Sequence, residues 1–280
     1  DAGNGMGGFS VPKVFDNSKI EIVPMYFELD GTFPNHEANP IEPANLVDLQ
    51  KRVVAEKADL GIAFDGDADR AFFVDENGVS ISPSAITALI AKRELKREPG
   101  SVIIHNLITS RSVAEVVSEN GGTAIKTRVG HSFIKQVMKD TNAIFGGEHS
   151  GHFYFRDFWF ADSGMLAALH VLSALGETKS GETFSALIKE FDRYIASGEI
   201  NTRVKDVLVT SNKVRQHFAL MKDVQIDDLD GLTFASDAWW VNIRPSNTEP
   251  LLRLNAEAKD RATMEKLRDE VLVIIRKDQQ

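Results

Sequence analysis

Four short stretches hold residues whose types and spacing suit chemistry. In Asp65-Gly66-Asp67-Ala68-Asp69-Arg70 three carboxylates alternate at i, i+2 and i+4 and an arginine follows at once. A loop can bend such oxygens around one hard divalent cation, although the same residues equally make a solvated acidic turn. An EF-hand fits poorly: Glu76 falls at position 12 counted from Asp65, but position 6 is Arg70 where the sharp turn needs Gly, and Phe72-Phe73-Val74 reads as a strand. Arg70 carries the fork of donors that pairs bidentately with phosphate, so the group suits a metal that faces a phosphate.

The second stretch, Gly146-Gly147-Glu148-His149-Ser150-Gly151-His152, lies between a strand ending near Phe145 and the aromatic segment Phe153 to Phe160. Its glycines permit close backbone approach to a ligand, and Glu148, Ser150 and His152 offer donors and acceptors suited to sugar hydroxyls. A polar surface turn accounts for it as well. There is no G-x-S-x-G elbow, and His149 with His152 alone does not make a zinc site. The third stretch, Arg244-Pro245-Ser246-Asn247-Thr248-Glu249-Pro250, gathers a guanidinium, two hydroxyls and an amide into an anion cradle, or else is a Pro-bounded turn that caps its own backbone. The fourth, Thr127-Arg128-Val129-Gly130-His131-Ser132, sits at a strand-to-helix junction. There His131 can serve as acid or base near neutral pH, or simply cap or pack.

The elements that must position these loops follow from periodicity. Pro43 suits the first position of a helix through Leu46, Leu49, Val53 and Val54, and strands are expected at 60–64 and 71–74 on either side of the acidic loop. Helices at 85–98, 110–119 and 131–139 alternate with strands at 102–105 and 123–126, which predicts an α/β layer with at least partly parallel strands. A helix is expected at 162–175, with Asp162 or Ser163 as its N-cap. Beyond Gly198 the order becomes a strand at 200–204, a helix at 212–221, strands at 232–235, 239–243 and 251–256, and a helix at 261–276, as in a separate α+β domain. The fold class is therefore α/β and multi-domain, with layered α/β domains followed by a smaller C-terminal α+β domain.

Composition narrows the functions. The chain has 280 residues, enough for two or three domains, with 42% hydrophobic and 26% charged residues, as in ordinary globular proteins. Its net charge of −9 argues against broad attraction to nucleic acid or anionic lipid, so a bound anion must meet a local basic pocket. Cysteine is absent, which excludes disulfides and thiolate chemistry and suits a reducing compartment. Charges interrupt every apolar run, leaving no membrane span and no secretory signal. The opening Asp1-Ala2-Gly3-Asn4-Gly5 reads as a piece of something longer.

Taken in order, the loops resemble the phosphohexomutase family, specifically its bacterial phosphomannomutase/phosphoglucomutase branch, over essentially the whole chain. Asp65 to Arg70 is similar to the family's magnesium loop, Gly147 to His152 to its sugar-recognition loop and Arg244 to Pro250 to its phosphate-binding loop. Asp30-Gly31-Thr32-Phe33-Pro34 and Arg156-Asp157-Phe158 also look like this branch, and Asn247 resembles it better than the glucosamine-phosphate mutases, which tend to carry Gly there.

The resemblance implies four domains, of which this chain would hold part of the second (1–79, with the metal loop), the third (80–190, with the sugar loop) and the C-terminal phosphate-binding domain (191–280). It implies reversible phosphoryl transfer between the 1- and 6-positions of a mannose or glucose phosphate through a bound hexose 1,6-bisphosphate. Asp65, Asp67 and Asp69 would hold Mg²⁺, and Arg70 and His131 would be catalytic. Glu148, Ser150 and His152 would bind the sugar, and Arg244, Ser246, Asn247 and Thr248 would clamp the phosphate that is not reacting. Family members use a phosphorylated serine in a T-x-S-H-N/P loop of the first domain. No such loop occurs here, so that domain is expected upstream and this chain alone is expected to be inactive. Ile108 stands where some relatives carry a basic residue. A cytoplasmic monomer or homodimer is expected. The alternatives are a phosphoglucosamine mutase, a non-catalytic sugar-phosphate-binding module, or a metal-dependent phosphatase using an Asp of the first loop as nucleophile.

Overall fold

The computed structural model describes residues 1–246 and 249–277. The chain divides into two compact units, Asp1–Asp192 and Arg193–Gln280. The first unit opens with α1 (Gly7–Val14), a 3-10 turn (Pro43–Leu46) and α2 (Val47–Glu56), then the strands β1 (Leu60–Phe64), β2 (Ala71–Asp75) and β3 (Ser80–Ile81). These strands form an antiparallel sheet in which Leu60 opposes Asp75 and Phe64 opposes Ala71. All five residues of β2 are buried, so an apolar run without alternation becomes a strand covered on both faces. Asp1 lies beside β1 in the hydrogen-bond pattern of a parallel neighbour: its nitrogen donates to Ile62 O at 2.7 Å and its carbonyl accepts from Phe64 N at 3.0 Å.

The remainder of this unit comprises α3 (Pro83–Arg97), β4 (Val102–Asn106), α4 (Arg111–Glu119), β5 (Thr123–Thr127), α5 (His131–Thr141), β6 (Phe145–Gly147), β7 (Phe153–Phe155), β8 (Ala161–Asp162), α6 (Gly164–Gly176) and α7 (Phe184–Ile188). The strands pair in the order β5-β4-β6-β7-β8. β4 runs parallel to β5 and β6, because α4 and α5 supply the crossovers that parallel neighbours need, whereas β6, β7 and β8 are joined by short turns and run antiparallel. Side chains alternate across this sheet. Ile103, Phe145 and Phe153 meet α3 and α6 on one face, while Ile104 and Tyr154 meet Ile134 and Met138 of α5 on the other. Ser82 caps α3 by accepting from Ser84 N, and Pro83 occupies its first turn.

The second unit contains β9 (Ile195–Ala196), β10 (Ile200–Arg203), α8 (Val207–Ala219), β11 (Gln225–Asp227), β12 (Leu232–Ala235), β13 (Trp239–Pro245), β14 (Leu251–Ala258) and α9 (Arg261–Arg276). Its sheet has the order β10-β14-β13-β12-β11, with β9 also on β14, and every pairing is antiparallel. Val241, Ile243, Leu252 and Leu254 point to the face that packs on Phe218 of α8 and Val271 of α9. The opposite face carries Trp240, Asn242, Arg244, Arg253 and Glu257, as the two-residue period of a strand requires.

Several elements depart from expectation, among them α7, β9 and β11, which no expected helix or strand covers. α8 begins at Val207 rather than at residue 212, because the Asp206 side chain accepts from Val209 N at 3.0 Å and caps it. Of the two caps expected for the helix at 162–175, Ser163 is the one used, accepting from Leu166 N ahead of Gly164, while Asp162 belongs to β8. α1 was hidden by Gly7, Gly8 and Pro12, residues that disfavour helix. Gly8 is needed there, since a Cβ would lie 2.1 Å from Phe27 O. Among the described residues no helix is long and apolar enough to cross a membrane.

Phe145 is fully buried between β4 and β7. Phe145→Ala should therefore cost about 3–5 kcal/mol, seen as a lower urea midpoint by circular dichroism; a shift below about 1 kcal/mol would contradict its central place in the core.

Candidate active site

The acidic loop is the turn between β1 and β2. Ala68 takes a left-handed conformation at φ 64°, and its N–H donates to Asp65 O at 3.1 Å, which folds the three carboxylates toward one another. Asp65 closes the loop: Oδ1 accepts from Arg70 N at 3.0 Å and Oδ2 from Arg70 Nε at 2.7 Å. Arg70 also reaches Asn39 Oδ1 at 3.3 Å. Asp65, Asp67 and Asp69 thus offer oxygens that all lie within 4.8 Å of one another. Burial, together with the charges of Asp65, Asp67 and Asp162, pushes the Asp69 carboxyl up to about 7, and Arg70 only partly offsets this. A trio of oxygen donors under mutual repulsion fits a hard divalent cation such as Mg²⁺.

The stretch at 147–152 is the turn of the β6–β7 hairpin. Glu148 N donates to His152 O at 3.0 Å and Gly151 N to Glu148 O at 3.2 Å, with Gly151 at φ 83°, where other residues are strained. Gly147 admits the close approach of α3, as a Cβ would sit 2.3 Å from Thr87 Oγ1. The Glu148 carboxylate is buried. Oε1 accepts from Asn106 Nδ2 at 3.1 Å and from Gly130 N at 3.2 Å, and Oε2 from Tyr154 OH at 2.8 Å. Asn106, at the end of β4, also donates to His149 Nδ1 at 2.9 Å and accepts from Thr109 Oγ1 at 2.7 Å.

Backbone joins the two loops. Arg70 and His152 form an antiparallel bridge, and Ala71 N donates to Gly151 O at 3.2 Å. The His152 ring consequently faces the carboxylates, with Nε2 at 3.7 Å from Asp69 and 3.9 Å from Asp162, while Nδ1 pairs with Ser150 Oγ at 2.9 Å. Burial lowers its pKa despite the opposing pull of Glu148 and Asp162. Asp65, Asp67, Asp69, Arg70, Glu148, Ser150 and His152 are therefore neighbours. His131 starts α5 with an exposed side chain, one residue from the Gly130 N–H that holds Glu148. Ile108 is buried.

Sequence reasoning missed Asn106, Tyr154, Asp162 and Lys135, whose Nζ lies 2.8 Å from Asp162 Oδ1. For Asn106 a signal existed, since a polar residue at the carboxyl end of a parallel strand is where α/β sheets place ligands.

In the second unit Arg244 lies near the end of β13, directly across from Arg253 of β14. Glu199 pairs with both, at 2.9 Å from Arg244 Nη2 and 3.0 Å from Arg253 Nη1. Ser246 N donates to Leu251 O at 2.9 Å, which begins the turn. Asn247 and Thr248 lie outside the described residues.

Three family models match the chain in succession: phosphoglucomutase/phosphomannomutase alpha/beta/alpha domain II over residues 1–78, alpha/beta/alpha domain III over 82–194 and the C-terminal domain over 199–273. The chain is similar to a phosphomannomutase from Methanocaldococcus jannaschii, 43% identical over 248 residues, covering 89% of this chain and 54% of that protein. A phosphomannomutase/phosphoglucomutase from Pseudomonas aeruginosa is 37% identical over 276 residues, covering 96% and 58%. The crystal structure of a phosphoglucomutase/phosphomannomutase family protein from Burkholderia thailandensis superposes with a TM-score of 0.87 at 31% identity, over 100% of this chain and 60% of that one. The chain thus spans less than two thirds of the length of these relatives.

The raised pKa of Asp69 makes metal-free stability depend on pH. The folded state holds that proton up to about pH 7 and the unfolded chain releases it near the ordinary aspartate value of 3.8, so folding is penalised progressively as pH rises through this window. In EDTA, Asp69→Asn should be more stable than the parent, by a margin that grows from pH 4 to pH 7 and then levels off; a margin that does not vary with pH in thermal melts would refute the crowding of these carboxylates.

Proposed function

Because the chain belongs to the phosphoglucomutase/phosphomannomutase family, we propose that it supplies the metal, sugar and phosphate sites of a phosphohexomutase. That enzyme interconverts hexose 1-phosphate and hexose 6-phosphate, with mannose or glucose as the sugar and hexose 1,6-bisphosphate as the bound intermediate. The observation that carries this reading is the backbone bridge between Arg70 and His152, which sets three convergent carboxylates beside a turn rich in sugar-binding groups. The sequence has no T-x-S-H loop, so the phosphorylated serine belongs to a segment outside these residues. We place the domain bounds at 1–79, 80–190 and 191–280. A cytoplasmic monomer or homodimer is the corresponding setting, and the lack of cysteine suits it.

Phosphoryl transfer is chiefly positioning and charge neutralisation, which accounts for the residue types. Asp65, Asp67 and Asp69 would hold Mg²⁺, which when bound would supply charge neutralisation for the transferring group and relief of the repulsion that lifts Asp69. Arg70 spends Nε on Asp65 and a donor of Nη1 on Asn39, which fixes the guanidinium plane and leaves its other donors for phosphate oxygens. Glu148 accepts three hydrogen bonds from protein, so about one of its roughly four lone-pair positions is left for a sugar hydroxyl. Ser150 and His152 act as a hydrogen-bonded pair toward the sugar, with the imidazole neutral at pH 7 because burial lowers its pKa. His131, exposed at the start of α5, serves proton transfer. Arg244, Ser246, Asn247 and Thr248 clamp the phosphate that is not reacting.

A coupled mutase assay with mannose 1-phosphate and glucose 1-phosphate, primed with hexose 1,6-bisphosphate and Mg²⁺, tests this on the chain alone and joined to a family domain bearing the serine loop. Turnover only in the joined protein is expected, and the rate ratio names the sugar; phosphate release without isomerisation would point instead to a phosphatase. In the joined protein Asp67→Asn should abolish Mg²⁺-dependent turnover while the circular dichroism spectrum stays unchanged, and retained activity would remove Asp67 from the metal site.

A further inference from the structure

Arg244 and Arg253 stand directly opposite each other on neighbouring strands, an arrangement that like charges normally disfavour. Both side chains are largely sheltered, at 12% and 33% exposure, so water screens the repulsion poorly. Each also has a buried Nε without a hydrogen-bond partner among the described residues, and so do Asn242 Oδ1 and Asn255 Nδ2, the next cross-strand pair on the same face. One face of the β13–β14 ladder thus carries a surplus of positive charge and of unmet polar groups. What holds it together is Glu199, immediately before β10, whose two oxygens take Nη2 of Arg244 and Nη1 of Arg253. β10 pairs with β14 at Asn201↔Arg253, which brings Glu199 within reach of both guanidiniums.

We propose that Glu199 is a resident anion of this cradle: it holds Arg244 and Arg253 together when no phosphate is present, and its charge opposes phosphate when one arrives. This rests on the reading of the Arg244–Pro250 turn as a phosphate site. Two guanidiniums and one carboxylate leave a net charge of +1, enough to attract an anion but too little to neutralise a phosphate dianion. A carboxylate bridging the same two guanidiniums lies close to any phosphate they bind and repels it in a low-dielectric setting. Glu199 therefore raises the threshold for capture, so that strongly charged phosphate competes where weaker anions do not. A residue that merely pre-organised the fork would have the opposite effect, because its loss would weaken binding.

The test is inorganic phosphate binding to the 280-residue chain by titration calorimetry, in the parent and in Glu199→Gln. The variant should melt earlier in phosphate-free buffer, bind phosphate about tenfold more tightly, and regain thermal stability as phosphate is added. Equal or weaker binding in Glu199→Gln, with Arg244→Ala still impairing the parent site, would overturn the role of Glu199 and leave the phosphate site standing. No phosphate binding in the parent or in Glu199→Gln would overturn the site itself. Should Glu199→Gln fail to fold, the parent decides: the Glu199 carboxyl carbon resonance must move as phosphate saturates the site, and an unmoved resonance refutes the competition.

Discussion

Like charges held closer together than they would settle in water are the constraint around which both units are arranged. In the first, Asp65, Asp67 and Asp69 converge between two strands, and only one of them has an arginine in full contact. In the second, two arginines face each other across a ladder with one glutamate between them. Neither cluster could persist on a flexible loop, because the chain would relax until the charges separated. The β1–β2 hairpin and the β13–β14 ladder prevent that relaxation: β2 is packed on both faces, and the register of β13–β14 is enforced by an apolar face that would turn outward on a one-residue slip. Core packing thus holds electrostatic strain where a ligand can relieve it.

The positioning groups extend the same logic. Glu148 is a buried carboxylate, costly unless its oxygens are met by donors, and Asn106, Tyr154 and the Gly130 N–H meet them. These donors come from β4, from β7 and from the start of α5. One side chain therefore ties together three elements of the central sheet layer, and the geometry of the 147–152 turn depends on the packing behind it.

Much of this was legible in the sequence, and the rest was not, for identifiable reasons. Alternating strands and helices from Pro83 onward imply crossovers, and the parallel pairs β4–β5 and β4–β6 follow. The charged loops declared themselves because their residues adjoin in sequence. Asn106 did not, since its partner Glu148 is 42 residues away, and its one signal, a polar residue at the carboxyl end of a parallel strand, names no partner. Glu199 is hidden more deeply, at 45 and 54 residues from the two arginines it bridges. α1 was obscured by a conflict between local preference and tertiary demand: glycine weakens a helix, yet only glycine permits the contact with Phe27. Asp162 and Ser163 are both good caps by type, and only the pairing of β8 with β7 shows that Asp162 ends a strand while Ser163 caps the helix.

The bridge between Arg70 and His152 has a further meaning for how such a chain can vary. It joins the tips of two separate sheets by main-chain hydrogen bonds, which are indifferent to side-chain identity but sensitive to residue count. Side-chain changes at Arg70 or His152 leave its main-chain bonds in place, whereas Gly151, at φ 83° and where a Cβ would lie only 2.5 Å from Phe72, resists substitution, and inserting or deleting one residue in either turn breaks the match with the other. The two turns are therefore heritable as a single unit of fixed combined length, and a graft that carries one into a new scaffold without its partner loses the alignment that gives both their use.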